Sequence, residues 1–216
     1  MEIRPQRGDR YTFYETLIRN SYLSQGQQLR PGDTVIDIGA NIGCFCVLAA
    51  RAVGPAGRVI AVEPEQSSFD SLQGNIRLNR CENVDARRLA IGGCSGSIDL
   101  HVSDTALFSS IYTEVGGVKT EAPLHATGST VQRVPMSTLE ALMDDADVGQ
   151  CNYLKVDCEG AEHDIFREMD QDTADRIDQI TMEVHHVTGA EPQALPSRLT
   201  ELGFQQESSS LLYAWR

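Results

Sequence analysis

Asp37 and Glu63 are two carboxylates that the sequence sets at the tips of neighbouring strands. In "DTVIDIGANIGCFC" (residues 33–46) a run of β-formers, Val35, Ile36 and Ile38, stops at Gly39. Gly43 follows four residues later, and an apolar helical pattern begins. A strand, a tight turn and a helix form the usual cradle for a nucleotide-like cofactor. The dinucleotide fingerprint G-x-G-x-x-G is not met, because Asn41 replaces the glycine that lets backbone approach a pyrophosphate. A carboxylate at Asp37 would repel a diphosphate and favour a ligand carrying positive charge. S-adenosylmethionine fits that description, with a sulfonium, an ammonium and no phosphate. Glu63 closes "RVIAVE", 20 residues after Gly43. A carboxylate there can accept both ribose hydroxyl hydrogens, which suits any adenosine with a free 2′-OH. Asp37 with Asn41 therefore carries the choice of S-adenosylmethionine over NAD. Singly, Asp37 could only cap the helix and Glu63 could be a solvated strand end. Jointly, in this context, the functional reading is well ahead.

These residues need a scaffold, and the chain supplies a repeating one. Residues 9–30 read as helical, an N-terminal cap over residues 1–30, broken by "RPGD". Strand 1 is about 34–38, a helix about 41–53, and "GPAG" turns into strand 2, "RVIAVE". A helix over 65–80 and strand 3, "NVDARRLAI", complete β-α-β-α-β, the pattern of a parallel doubly wound sheet. "SGSIDLHVS" then alternates like an exposed strand, and 104–130 is rich in Ser, Thr and Gly without a period. "VQRVPMSTLEALMDD" returns as strand and helix, with Ser137 as N-cap and Glu140 three residues on. Residues 94–135 thus read as a β insertion after strand 3. "NYLKVD" is strand 4, "AEHDIFREM" a helix, "IDQITMEV" strand 5, and 191–202 a helix closed by Gly203. "FQQES" and "LLYAWR" are too close for a helical crossover and must pair antiparallel. That makes seven strands plus the insertion, and one domain over 1–216.

Bulk properties narrow the partners. The 216 residues carry 31 acids against 18 bases, a net charge of −13 that repels phosphate backbones and anionic membranes. Nucleic acid and membrane are not expected as partners; a small-molecule acceptor is. Nothing approaches the ~20 apolar residues of a membrane span, and the N-terminus shows no secretory h-region. Six cysteines, with no C-x-x-C pair and no zinc-type spacing, read as reduced thiols of a cytoplasmic protein, most of them small core hydrophobes. Oligomeric state is not legible.

"GDTVIDIGANIGCFCVLAA", "VIAVEPEQSSFDSLQGNIRLN", "ARRLAIGGCSGSIDL" and "LKVDCEGAEHDIF", in that order, resemble the FkbM family of S-adenosylmethionine-dependent methyltransferases. The similarity runs from about residue 30 to 186, and "LKVDCEGAE" is its most specific segment. The resemblance implies a Rossmann-like class I methyltransferase fold, an α/β sheet of seven mostly parallel strands in the order 3-2-1-4-5-7-6. It implies O-methylation of a sugar, polyketide or other small natural product. Matching the motifs, the cofactor residues are Asp37, Gly39, Asn41, Gly43, Glu63, Pro64 and Ala90. Two alternatives stand beside this reading: a NAD-dependent oxidoreductase, and a cofactor-binding protein without catalysis.

In the implied order the crevice opens between strands 1 and 4, at the carboxyl ends, where Asp157 would face the cofactor. Strand 5 ends in "MEVHH", adding Glu183 and His185 to the rim. An alcohol acceptor must lose a proton, and Asp157 and His185 are the candidate bases, His185 on its unperturbed pKa of roughly 6.5. Asp157, Glu183 and His185 could instead hold a divalent metal, which is possible but not predicted. Lys155 could pair with a neighbouring acid, Glu162 reads as structural, and Glu159 stays open. Tyr11, Tyr14 and Glu15 could form a lid, although packing of the tyrosines is simpler.

Overall fold

A computed structural model describes residues 1–4, 7–23, 26–102, 130–187, 191–208 and 211–216. After α1 (Asp9–Phe13), the alternation runs β1 (Thr34–Ile38), α2 (Cys44–Val53), β2 (Arg58–Val62), α3 (Gln66–Asn79) and β3 (Val84–Arg87). β4 (Ala90–Ile91), β5 (Gly96–Val102) and β6 (Thr130–Ser137) follow. α4 (Leu139–Asp145), β7 (Tyr153–Val156), α5 (Glu162–Glu168), α6 (Gln171–Asp175), β8 (Gln179–Met182) and α7 (Ala194–Glu201) resume the alternation. β9 (Gln205–Ser208) and β10 (Leu212–Trp215) close the chain. The main sheet has the order β3-β2-β1-β7-β8-β10-β9, parallel except at β10, which lies antiparallel to both β8 and β9. This is the strand order the resemblance implies.

Helices cover both faces, so the parallel strands are buried on both sides and their period-2 alternation sorts two cores. Ile36, Ile38, Leu154, Val156, Ile180 and Met182 face one core, together with apolar residues of α4, α5 and α7. Val35, Val59, Ala61, Tyr153 and Tyr213 face the other, against Phe45 and Val47 of α2 and Leu72 of α3. Residues 37 and 155 share the parity of Val35 and Tyr153. Both are therefore turned into the α2-side core, although both are charged.

Several expected boundaries change. Among the described residues, the helix expected over 9–30 is only α1, a π-helical turn (Tyr14–Ile18) and a 3-10 turn (Ser21–Leu23). Asn20, Gly26 and Gly32 all take positive φ, which a continuing helix forbids. Strand 3 divides: Val84–Arg87 joins the main sheet, whereas Ala90–Ile91 pairs with β6 in a three-stranded sheet of order β4-β6-β5. Ser137 ends β6, and Thr138 is the N-cap of α4, its Oγ1 accepting from Ala141 N at 3.1 Å. α6 went unread because five residues show no apolar period. Residues 103–129, the Ser/Thr/Gly-rich part of the insertion, lie outside the described residues. No helix of the described residues is long and apolar enough to cross a membrane.

The turn after β1 leaves no room for a side chain. Gly39 has φ +73, and a Cβ built there would lie 1.7 Å from Asp157 O. Gly39→Ala is expected to force β1 and β7 apart at their carboxyl ends. The measurement is calorimetric titration with S-adenosylhomocysteine, in which the variant should lose most of its affinity even where circular dichroism shows a folded chain.

Candidate active site

β1 and β7 are the strands at which sheet order reverses, and the space beyond their carboxyl ends is where an open α/β sheet holds its ligand. A cavity of about 350 Å³ lies there, in the range of small-molecule sites. Gly39, Asn41, Glu63, Pro64, Ala90 and Asp157 line it. Asp37, Gly43 and His185, also expected at the site, do not line the cavity.

On the β1–β2 side, Asn41 takes φ +49, a left-handed conformation that asparagine tolerates. Its N–H donates to Glu63 Oε2 at 2.8 Å, and Glu65 N donates to Glu63 Oε1 at 2.9 Å. Burial pushes the Glu63 carboxyl up to about 7, against the pull of those two backbone donors. Each oxygen retains a second lone pair.

Asp37 corrects the electrostatic argument made from sequence. Its side chain is fully buried, and in the β1–β7 register it lies opposite Lys155, whose Nζ is 3.2 Å from Oδ1. The contact is a close ion pair rather than a well-aligned hydrogen bond. Asp37 therefore does not present a bare charge to the ligand; the ammonium on the next strand compensates it. Lys155 Nζ also donates to Gly39 O at 2.7 Å and Ile38 O at 3.3 Å.

On the β7–β8 side, Asp157, Glu159 and Glu183 line the cavity. Asp157 Oδ2 accepts from the Tyr22 hydroxyl at 2.9 Å and lies 3.7 Å from Lys155 Nζ. His185 sits behind them. Its Nδ1 is 3.2 Å from Glu162 Oε1, its Nε2 is 3.4 Å from Glu159 Oε2, and its backbone N–H donates to Glu162 Oε1 at 2.6 Å. Burial works against a charged imidazole, but the Glu162 hydrogen bond and the charges of Glu159, Glu162 and Asp157 outweigh it, raising the pKa to about 9. The two acids on its ring nitrogens favour the charged form of His185, and it does not line the cavity, so Asp157 is the better-placed of the two candidate bases. Burial pushes Glu159 up to about 8 against the pull of His185, and burial with the Asp157 charge raises Glu183. Fully buried Glu162 is the structural acid expected; it accepts also from Gly160 N at 2.9 Å. Asp157, Glu183 and His185, the alternative metal set, bring donor atoms within 4.8 Å of one another. An ion there would have to displace the His185–Glu159 pair.

Sequence reasoning offered the N-terminal segment as a cap with Tyr11, Tyr14 and Glu15 as a lid, but missed Arg4, Arg7 and Tyr22. Arg4, Arg7 and Tyr22 line the cavity, alongside Tyr11 and Glu15; Tyr14, grouped with them as a lid, is exposed. Arg4 is held by buried Asp9 through Nε at 3.0 Å and Nη2 at 3.1 Å, and reaches Ser67 Oγ at 2.9 Å and Ser68 Oγ at 3.2 Å. No local pattern signals these contacts, since Tyr22 and Asp157 are 135 residues apart.

The methyltransferase FkbM domain model matches residues 37–205, which is most of the chain. The chain belongs to this family. The FkbM-type domain is 28% identical over 199 residues to the 31-O-demethyl-FK506 methyltransferase FkbM of Streptomyces tacrolimicus, covering 83% of this chain and 76% of that protein. It is 28% identical over 164 residues to Methyltransferase 1 of Beauveria bassiana, covering 71% and 66% respectively. The crystal structure of Methyltransferase FkbM from Methylobacillus flagellatus superposes with a TM-score of 0.56 at 15% identity, over 94% of this chain and 48% of that one. The chain thus spans from about half to three quarters of these relatives' lengths. As an FkbM methyltransferase it uses S-adenosylmethionine.

The ion pair beneath the FkbM cavity yields a stability test. Removing one partner of a buried pair strands the other charge, so Asp37→Ala is expected to cost about 3–5 kcal/mol in denaturant unfolding. The double replacement Asp37→Leu with Lys155→Met should cost less than the single one, because no charge is stranded.

Proposed function

We propose that this methyltransferase transfers a methyl group to a hydroxyl oxygen of a small metabolite, with Asp157 receiving the acceptor's proton. The observation that carries the reading is the placing of Asp157 in the cavity wall, across the strand-order reversal from Gly39 and on the same cavity as Glu63. S-adenosylmethionine, when bound, supplies an electrophilic methyl on a sulfonium. Glu63 would hold its ribose hydroxyls, with Asn41, Pro64 and Ala90 beside it. The Asn41 N–H is already given to Glu63.

Displacement needs acceptor oxygen, methyl carbon and sulfur in line, so the chain's main contribution is positioning. The acceptor loses its O–H bond as its O–C bond forms, and the proton passes to Asp157. His185, which does not line the cavity, holds Glu159 beside it instead. Hydroxyl methylation agrees with the Streptomyces relative, a 31-O-demethyl-FK506 methyltransferase. That small-molecule activity supports a sugar, polyketide or similar alcohol as the acceptor class here.

Two measurements test the reading. Ribose hydroxyls donate best to an ionised Glu63. With its pKa at about 7, affinity for S-adenosylhomocysteine should fall by about thirtyfold from pH 8 to pH 5.5 as the carboxyl takes up its proton. Glu63→Gln should bind more weakly and lose this pH dependence; a thermal shift with NAD alone would overturn the cofactor assignment. For catalysis, S-adenosylhomocysteine release is followed over a panel of sugar, polyketide and simple alcohols. Asp157→Asn is expected to lower kcat by about 10²- to 10⁴-fold at unchanged cofactor affinity. Turnover should persist in chelator, and its loss there would move Asp157, Glu183 and His185 to metal ligation.

A further inference from the structure

The structure assigns Tyr22 a positioning role: its phenol fixes the Asp157 carboxylate in the orientation that receives the acceptor's proton. The assignment rests on the O-methylation reading above. It starts from which oxygen is held. The Tyr22 hydroxyl donates to Oδ2 at 2.9 Å, and Lys155 Nζ approaches the same Oδ2 at 3.7 Å. Both contacts fall on one oxygen, which leaves Oδ1 to meet the acceptor. A carboxylate held by one donor on one side cannot swing its other oxygen freely, and small misplacements of a reacting group are costly.

Tyr22 is itself held on every side. The residue is 9% exposed, its ring meets Phe45 edge-on at 5.7 Å, and Lys155 Nζ lies 5.3 Å from the ring centroid. Its backbone is bolted to the sheet by two other tyrosines. The Tyr153 hydroxyl donates to Tyr22 O and takes a hydrogen bond from Thr181 Oγ1 at 2.6 Å. The Tyr213 hydroxyl donates to Ser21 O at 2.8 Å. The 3-10 turn Ser21–Leu23 is thus pinned to β7 and β10, and it hands one hydroxyl to the end of β7. Packing alone would be served by phenylalanine; the hydroxyl has Asp157 as its partner.

The proton count closes without Tyr22 changing state. The acceptor O–H and the S–CH₃ bonds break, the O–CH₃ bond forms, and the proton ends on Asp157. Burial and the charges of Asp157 and Glu183 hold the Tyr22 phenol well above its ordinary pKa, so it remains a donor throughout.

Tyr22→Phe removes only the hydroxyl and tests the assignment in two ways. Infrared difference spectra of ¹³C-aspartate-labelled protein isolate the Asp157 carboxylate stretch as the band lost in Asp157→Asn. That band should shift in Tyr22→Phe and stay in place in Tyr14→Phe, with no acceptor needed. With the acceptor found in the panel, Tyr22→Phe should lower kcat by about tenfold to a hundredfold. KM for the acceptor and affinity for S-adenosylhomocysteine should stay within about twofold, and in an Asp157→Asn background the same change should cost less than about twofold. An unshifted band, an unchanged kcat, or equal losses in both backgrounds would overturn the role. Failure of wild type to methylate any alcohol would instead retire the O-methylation reading, and with it Tyr22's catalytic purpose, while the infrared band still decides whether the hydroxyl orients Asp157.

Discussion

The ammonium of Lys155 is the constraint on which the site depends. It is buried on the strand beside Asp37, and it reaches four groups at once: the Asp37 carboxylate, the Ile38 and Gly39 carbonyls and the edge of Asp157. Taking two charges out of water costs several kcal/mol per ion, and attraction between them only roughly offsets that cost. A pair of this kind is weak evidence for stability and better evidence for geometry. Here it ties the last residues of β1 to those of β7, so that the loop on one wall of the cavity and the acid on the other keep a fixed spacing.

Around that tie the cavity has two electrostatic characters. On the β2 side, a single buried carboxylate is wrapped by backbone donors and has lone pairs to spare, which suits neutral hydroxyls. On the β8 side, acids outnumber cations, and His185 balances them only by being charged itself. The imidazolium is held between Glu159 and Glu162 on its two ring nitrogens. Glu159 takes φ +55, an unusual conformation for a residue with a side chain, and one that brings its carboxyl to both His185 and the cavity. A cationic methyl donor entering between these two regions meets hydroxyl acceptors at one end and excess negative charge at the other.

The N-terminal segment finishes the enclosure. Arg4 fastens onto the start of α3 and Tyr22 onto the end of β7, so this segment touches both halves of the cavity through those two residues.

The sequence by itself determined the scaffold and the turn. Short β-branched runs set between helical segments suffice for a parallel sheet, and Gly39, Asn41 and Gly43 are legible because only a few residue types accept left-handed backbone. The FkbM motifs supplied strand order, and two carboxylates that line the cavity, Glu63 and Asp157, announced themselves by following strand ends. What tertiary structure alone decided is which charges face the ligand. Asp37 and Asp157 look alike along the chain, yet Asp37 lies inside β1 and is buried against Lys155, whereas Asp157 lies just past the end of β7 and meets the cavity. His185 looks like a free base along the chain, and acids from other segments hold both its ring nitrogens and raise its pKa. Tyr22 and Arg4 have no local signature at all. Charge state and orientation depend on neighbours in space, and a one-dimensional pattern records neighbours only within a few residues.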